Sequence, residues 1–156
     1  MIETQLLIDT DVDLKTNKEV LDHLSDFLTG EGFVKESYHA AIHERESIFP
    51  TGIDLGFGAV AIPHCDASHA NKPCVYLIKP SQGIPFERAD DDGELIAELI
   101  IALVVTDPAE QMQLLRALFT SLQDEAFFNE LKNAPSIEAM TATFSSKILN
   151  KDKEVA

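Results

Sequence analysis

The sequence predicts an α/β domain: a single mixed sheet of about five strands, flanked by helices on both faces. Three observations carry that expectation. Short runs rich in Val, Ile and Leu alternate along the chain with stretches of helical periodicity. The 156 residues, 45% hydrophobic and 25% charged, suffice to bury one core without staples. No repeat, low-complexity stretch or linker divides them, so 1–150 is expected to be one domain and 151–156 a frayed tail.

Glu3 to Val12 reads as a first strand around Leu6-Leu7-Ile8. Asn17 is the expected cap of a helix that places Val20, Leu21, Leu24, Phe27 and Leu28 on one face, closed by Gly30 and Gly32. A second helix is expected over Lys35 to Glu46, with Tyr38, Ala41 and Ile42 inward and Arg45 near its end. Ser47 to Phe57 reads as irregular, broken by Pro50, Gly52 and Gly56. A small strand, Gly58 to Ile62, then runs into Pro63, where the missing N–H is expected to end regular pairing. After a polar loop from Asp66 to Pro73, Cys74 to Ile78 is a strand closed by Pro80, Ile84 to Phe86 a short edge strand, and Asp90 to Gly93 a turn. Leu95 to Val105 is ambiguous: Glu94 to Glu98 has the look of a helix start, while Ile100 to Val105 is assigned to a strand. Pro108 opens a helix expected to bury Met112, Leu115, Leu118, Phe119 and Leu122. Helices over Asp124 to Asn133 and, capped by Ser136, Ser136 to Leu149 complete the chain.

The formal charge of −15 argues against nucleic-acid binding, because replacing phosphate counterions takes cations. An anionic membrane surface would repel the chain for the same reason, and the longest apolar run is too short to span a bilayer. The first residues carry no basic, leader-like region, and two cysteines, Cys65 and Cys74, make no disulfide framework. A reducing cytoplasm is the expected compartment.

His64, presented at a strand end by Pro63, is the candidate for chemistry. An imidazole with an ordinary pKa near ~6.5 is suited to nucleophilic work at neutral pH. The glycines at 52, 56 and 58 lack the lysine of a phosphate-binding loop, the aspartates at 90–92 lack the spaced ligands of a calcium loop, and no Gly-x-Ser-x-Gly elbow is present. His64, Cys65, Asp66, His69 and Cys74 are metal-capable but fit no standard zinc spacing.

Arg45-Glu46, Pro50-Thr51-Gly52-Ile53 and Ala61-Ile62-Pro63-His64, in that order, resemble the signature of the enzyme IIA domains of the bacterial phosphoenolpyruvate-dependent sugar phosphotransferase system, in the fructose–mannitol superfamily. The spacing from Thr51 to His64 is most similar to the galactitol-type branch. The resemblance implies that His64 accepts a phosphoryl group from phospho-HPr on Nε2. It then passes the group to the cysteine of a sugar-specific enzyme IIB, which works with a membrane enzyme IIC; no cofactor is implied. Arg45 matches an arginine that stabilises the phosphoryl oxygens. Where many relatives have a second histidine, this chain has Gln111, expected either to offer a neutral N–H to a phosphoryl oxygen or to be an exposed helix residue. Ile53, Leu55 and Phe57 are expected either to form a docking rim or to pack their loop down. A regulatory module of the same fold, sensing phosphorylation state, remains the alternative reading, with a metal-binding enzyme a weaker third.

Overall fold

The computed structural model describes residues 4–90 and 92–149. Glu3, Asp91 and the tail from Asn150 lie outside the described residues. The elements run β1 (Gln5–Val12), α1 (Asn17–Gly30), α2 (Tyr38–Ile48), β2 (Gly52–Asp54), β3 (Ala59–Ala61), β4 (Cys74–Pro80), β5 (Ile84–Glu87), β6 (Glu94–Ala97), β7 (Leu99–Val104), α3 (Pro108–Leu122), α4 (Glu125–Lys132) and α5 (Ile137–Phe144). A 3-10 turn over Ala67–His69 and a π-helical turn over Ser145–Leu149 complete them.

Five strands form one mixed sheet in the order β1-β4-β7-β3-β2, and β5 and β6 make a separate antiparallel ribbon. β1 is parallel to β4 and β3 to β7, while β4–β7 and β2–β3 are antiparallel. Alternation along the strands feeds two cores. Ala59, Ala61, Tyr76, Ile78, Ala102 and Val104 meet α1, α2 and the ribbon on one face. Val60, Ile62, Val75, Leu77, Ile101 and Leu103 meet α3, α4 and α5 on the other. All six residues of β7 are buried, as a strand covered on both faces requires. Each such Leu or Ile contributes about 1.5–3 kcal/mol by leaving water. The layered sheet expected from the sequence is therefore present.

Several expectations need correction. Thr16, not Asn17, caps α1: its hydroxyl accepts from the Glu19 N–H (3.1 Å). α2 starts three residues later than expected: Val34 bridges Ala70, and Lys35 opens a tight turn whose carbonyl accepts from the Tyr38 N–H (3.0 Å). It ends at Ile48, where the Phe49 N–H closes on Arg45 O and Pro50 follows. The stretch expected to be irregular contains β2, paired Gly52↔Ala61, Ile53↔Val60 and Asp54↔Ala59. Leu95 to Val105 holds two strands broken at Glu98, and β5 belongs to the ribbon, not to an edge of the main sheet. α3 keeps Leu115, Leu118 and Leu122 on the core side as expected, but not Met112 and Phe119. Leu118, Ser121 and Leu122 are buried, whereas Met112 and Phe119 are 55% and 41% exposed.

The ribbon is docked through Gly52. Its carbonyl accepts from the Ala89 N–H (2.8 Å), and a Cβ at this position would lie 2.5 Å from the Glu87 carbonyl oxygen. Backbone cannot yield as a flexible side chain would. Gly52→Ala is expected to lower stability by about 1–3 kcal/mol, read from the midpoint of urea unfolding; an unchanged midpoint would contradict this packing.

Candidate active site

The site forms where β3 leaves the sheet. Beyond Ala61 the backbone is still held on both sides: the Ile62 N–H donates to Thr51 O (3.3 Å), and the Leu103 N–H donates to Pro63 O (3.1 Å). Pro63 lacks a donor but keeps its acceptor, so pairing with β7 runs one residue further than the sequence suggests. The next residue, His64, is half-buried at the rim.

Its ring is anchored by its own strand. Nδ1 lies 2.8 Å from the Ile62 carbonyl oxygen. A carbonyl only accepts, so Nδ1 carries the hydrogen and Nε2 keeps its lone pair. Arg45 Nη2 stands 3.4 Å from that Nε2. The guanidinium is held from behind, Nη1 donating to the Phe49 carbonyl (2.9 Å) with Cζ 4.8 Å from the Phe49 ring centroid. Burial pushes the His64 pKa below its ordinary 6.5; the bond to Ile62 opposes this and the Arg45 charge adds to it. The ring is therefore neutral and nucleophilic at pH 7.

One turn of backbone holds arginine and loop together. Glu46 is only 4% exposed, although it is charged in most settings. Its carboxylate oxygens accept from the Thr51 N–H and hydroxyl, both at 2.8 Å. This clasp fixes the Pro50-Thr51-Gly52 stretch against α2 beside Arg45. The Arg-Glu and Pro-Thr-Gly runs carry both residues, and the sequence signal for the clasp is an acidic residue on the inward column of α2, four beyond Ile42. Burial raises the Glu46 pKa, against the two Thr51 bonds and the nearby Arg45 charge.

The structure brings His64 and Arg45 together and places Gln111 close by. Gln111 Nε2 lies 3.5 Å from the carbonyl oxygen of Cys65, a long contact to the residue after His64. α3 starts there because Asp107 caps it, its carboxylate accepting from the Ala109 N–H (3.0 Å). The other metal-capable residues diverge: His69 Nδ1 pairs with the Ser37 hydroxyl (2.8 Å), and Cys74 is buried in β4. Cys65 is a free thiol pushed up to about 12, first by burial and then by the Asp66 charge, so it is no thiolate beside the imidazole. Ile53, Leu55 and Phe57 pack onto the second core, Phe57 edge-on to Phe128, and take the packing alternative. The exposed apolar side chains are instead Ile48 and Phe49 beside Arg45, and Met112 next to Gln111, between 55% and 61% exposed.

A neutral imidazole with a free lone pair beside a guanidinium fork is an arrangement suited to accepting a phosphoryl group. A family model described as "Phosphoenolpyruvate-dependent sugar phosphotransferase system, EIIA 2" matches residues 1–147. The chain belongs to that family. As an EIIA member it is a phosphoryl carrier of the sugar phosphotransferase system. It is 35% identical over 150 residues to the galactitol-specific EIIA component of Escherichia coli K12, covering 96% of this chain and 99% of the relative. Two solved structures share the fold. Escherichia coli mannitol enzyme IIA, in complex with phosphorylated enzyme IIB, has a TM-score of 0.71 at 22% identity, covering 89% of this chain and 94% of that one. Nitrogen regulatory protein IIA-Ntr from Neisseria meningitidis has a TM-score of 0.68 at 20% identity, covering 88% and 90%.

Two predictions follow from the geometry of this EIIA site. In heteronuclear NMR, the His64 ring should titrate below pH 6.5, and Arg45→Ala should move that titration upward; an unmoved midpoint would remove Arg45 from the site. For Glu46, a folded pKa raised above 4.5 means the native state binds that proton more tightly than the unfolded chain. Its contribution to stability is then present in acid and is lost as pH rises through the folded value. Glu46→Gln should therefore gain on wild type as pH rises from 4.5 towards neutrality, whereas Glu46→Ala, which strands the Thr51 N–H, should cost about 1–3 kcal/mol.

Proposed function

We propose that this EIIA carries its phosphoryl group on Nε2 of His64, taking it from the phosphohistidine of HPr and passing it to the cysteine of a galactitol-type enzyme IIB. The reading rests on one observation: an imidazole with Nδ1 anchored to a carbonyl, its Nε2 lone pair facing the Arg45 fork. The galactitol branch is supported by near full-length similarity to a galactitol-specific EIIA component. The enzyme IIB works in turn with a membrane enzyme IIC that takes up the sugar. No helix among the described residues is long and apolar enough to cross a membrane. We place the relay in the cytoplasm, where its partners meet.

In the forward step the Nε2 lone pair attacks phosphorus while the donor P–N bond breaks, its electrons returning to the donor imidazole. His64 keeps its Nδ1 hydrogen, so no base is needed, and the Ile62 carbonyl faces the positive charge that develops on the ring. Arg45 turns from Nε2 to the equatorial oxygens, where positioning and charge stabilisation are most of the catalysis. Gln111 exchanges its long contact with Cys65 O for a phosphoryl oxygen. Ile48, Phe49 and Met112 form the apolar rim that both partners cover in turn, a small and transient interface.

Incubation with phosphoenolpyruvate, enzyme I and HPr tests the assignment. Wild type should gain one acid-labile phosphate and His64→Ala none; phosphate persisting in that variant would refute it. Arg45→Ala should slow single-turnover transfer about 10- to 100-fold, the equivalent of one charged hydrogen bond, while Gln111→Ala should cost less than about tenfold, a neutral one.

A further inference from the structure

We propose that Asp22, His39 and His43 form a binding site for a zinc-class divalent cation, bridging α1 and α2 through residues that the phosphoryl site does not use. α2 turns Tyr38, Ile42 and Glu46 into the protein, and the adjacent column of the helix carries His39 and His43. An (i, i+4) pair points two imidazoles the same way. They lie side by side, with ring centroids 4.6 Å apart. α1 buries Val20, Leu21, Leu24 and Leu28 and leaves Asp22 outward, where it meets both rings. The Nε2 atoms of His39 and His43 each lie 2.9 Å from the same oxygen, Asp22 Oδ1. All three donor atoms are within 4.8 Å of one another.

This donor set selects the ion. Two imidazole nitrogens and one carboxylate oxygen suit zinc, nickel, copper or cobalt, whereas magnesium and calcium take shells of oxygen. Metal–ligand lengths of about 2.0–2.1 Å in a tetrahedron place donor atoms about 3.3 Å apart. The present 2.9 Å contacts need only open slightly, by rotation of exposed side chains. Because a carboxylate oxygen only accepts, both Nε2 atoms now carry hydrogen. Ligation moves each hydrogen to Nδ1 through solvent, a tautomer exchange with no net proton released from neutral rings. The two histidine hydrogen bonds hold the Asp22 carboxyl below its usual range, so the third ligand is ionised. A chain of net charge −15 concentrates cations around it. Three protein ligands leave a fourth position for water. The bound ion ties α1 to the helix that bears Arg45 and Glu46.

The experiment uses tag-free, metal-stripped protein titrated with zinc chloride by calorimetry. One ion per chain is expected, with binding weakened at least tenfold in each of His39→Gln, His43→Gln and Asp22→Asn. Zinc should raise the thermal midpoint of wild type, as ligation of the folded state requires, and magnesium should not. Cobalt should give visible d–d bands without the intense near-ultraviolet absorption of a thiolate, which separates this site from one at Cys65. Absence of zinc binding up to about 0.1 mM would overturn the proposal. So would binding left intact in a His39→Gln/His43→Gln double variant whose circular dichroism matches wild type.

Discussion

The hydrogen bond from His64 Nδ1 to the Ile62 carbonyl is the contact on which the site depends. It decides which nitrogen is nucleophilic and leaves the ring few orientations. It ties the reactive side chain to a residue whose own side chain lies in the core between sheet and helices. Rotating the ring would strand a polar hydrogen at a half-buried position. The imidazole is thus held by the strand beneath it, as the relay proposed for His64 needs.

Around that contact the sheet and α2 supply complementary parts. The sheet places the nucleophile; the last turn of α2 brings Arg45, and the Glu46–Thr51 clasp joins helix to loop. The guanidinium favours a neutral imidazole, and under the proposed transfer the same side chain would face the phosphoryl dianion. Cys65, although adjacent in sequence, takes no part because burial keeps its thiol protonated.

Much of this was legible in the sequence. Strand periodicity, the Asp107-Pro108 helix start and the order of Arg-Glu, Pro-Thr-Gly and Pro-His give the layered fold and the pair His64 and Arg45. β2 was not legible, since three residues beginning with glycine carry no alternation signal. The choice between docking rim and packed loop for Ile53, Leu55 and Phe57 was open in the sequence, because only the folded hairpin sets them against the second core. On α3, Leu118 and Leu122 follow the periodicity into the second core, while Met112 and Phe119, read as inward from the same pattern, are exposed. The spacing of His39 and His43 was visible, but their shared partner comes from another helix, a tertiary fact.

The parallel pairing of β1 with β4 bears on how the molecule assembles. Gln5 finds its partner at Cys74, and β4 in turn pairs antiparallel with β7, Cys74 opposite Val104. During synthesis the first strand has no sheet to join until the middle of the chain has left the ribosome. The short-range pairings, β2 with β3 and β5 with β6, can form early, while the amino-terminal strand closes onto β4 only after the two helices and two strands between them, a non-local contact of the kind that slows folding.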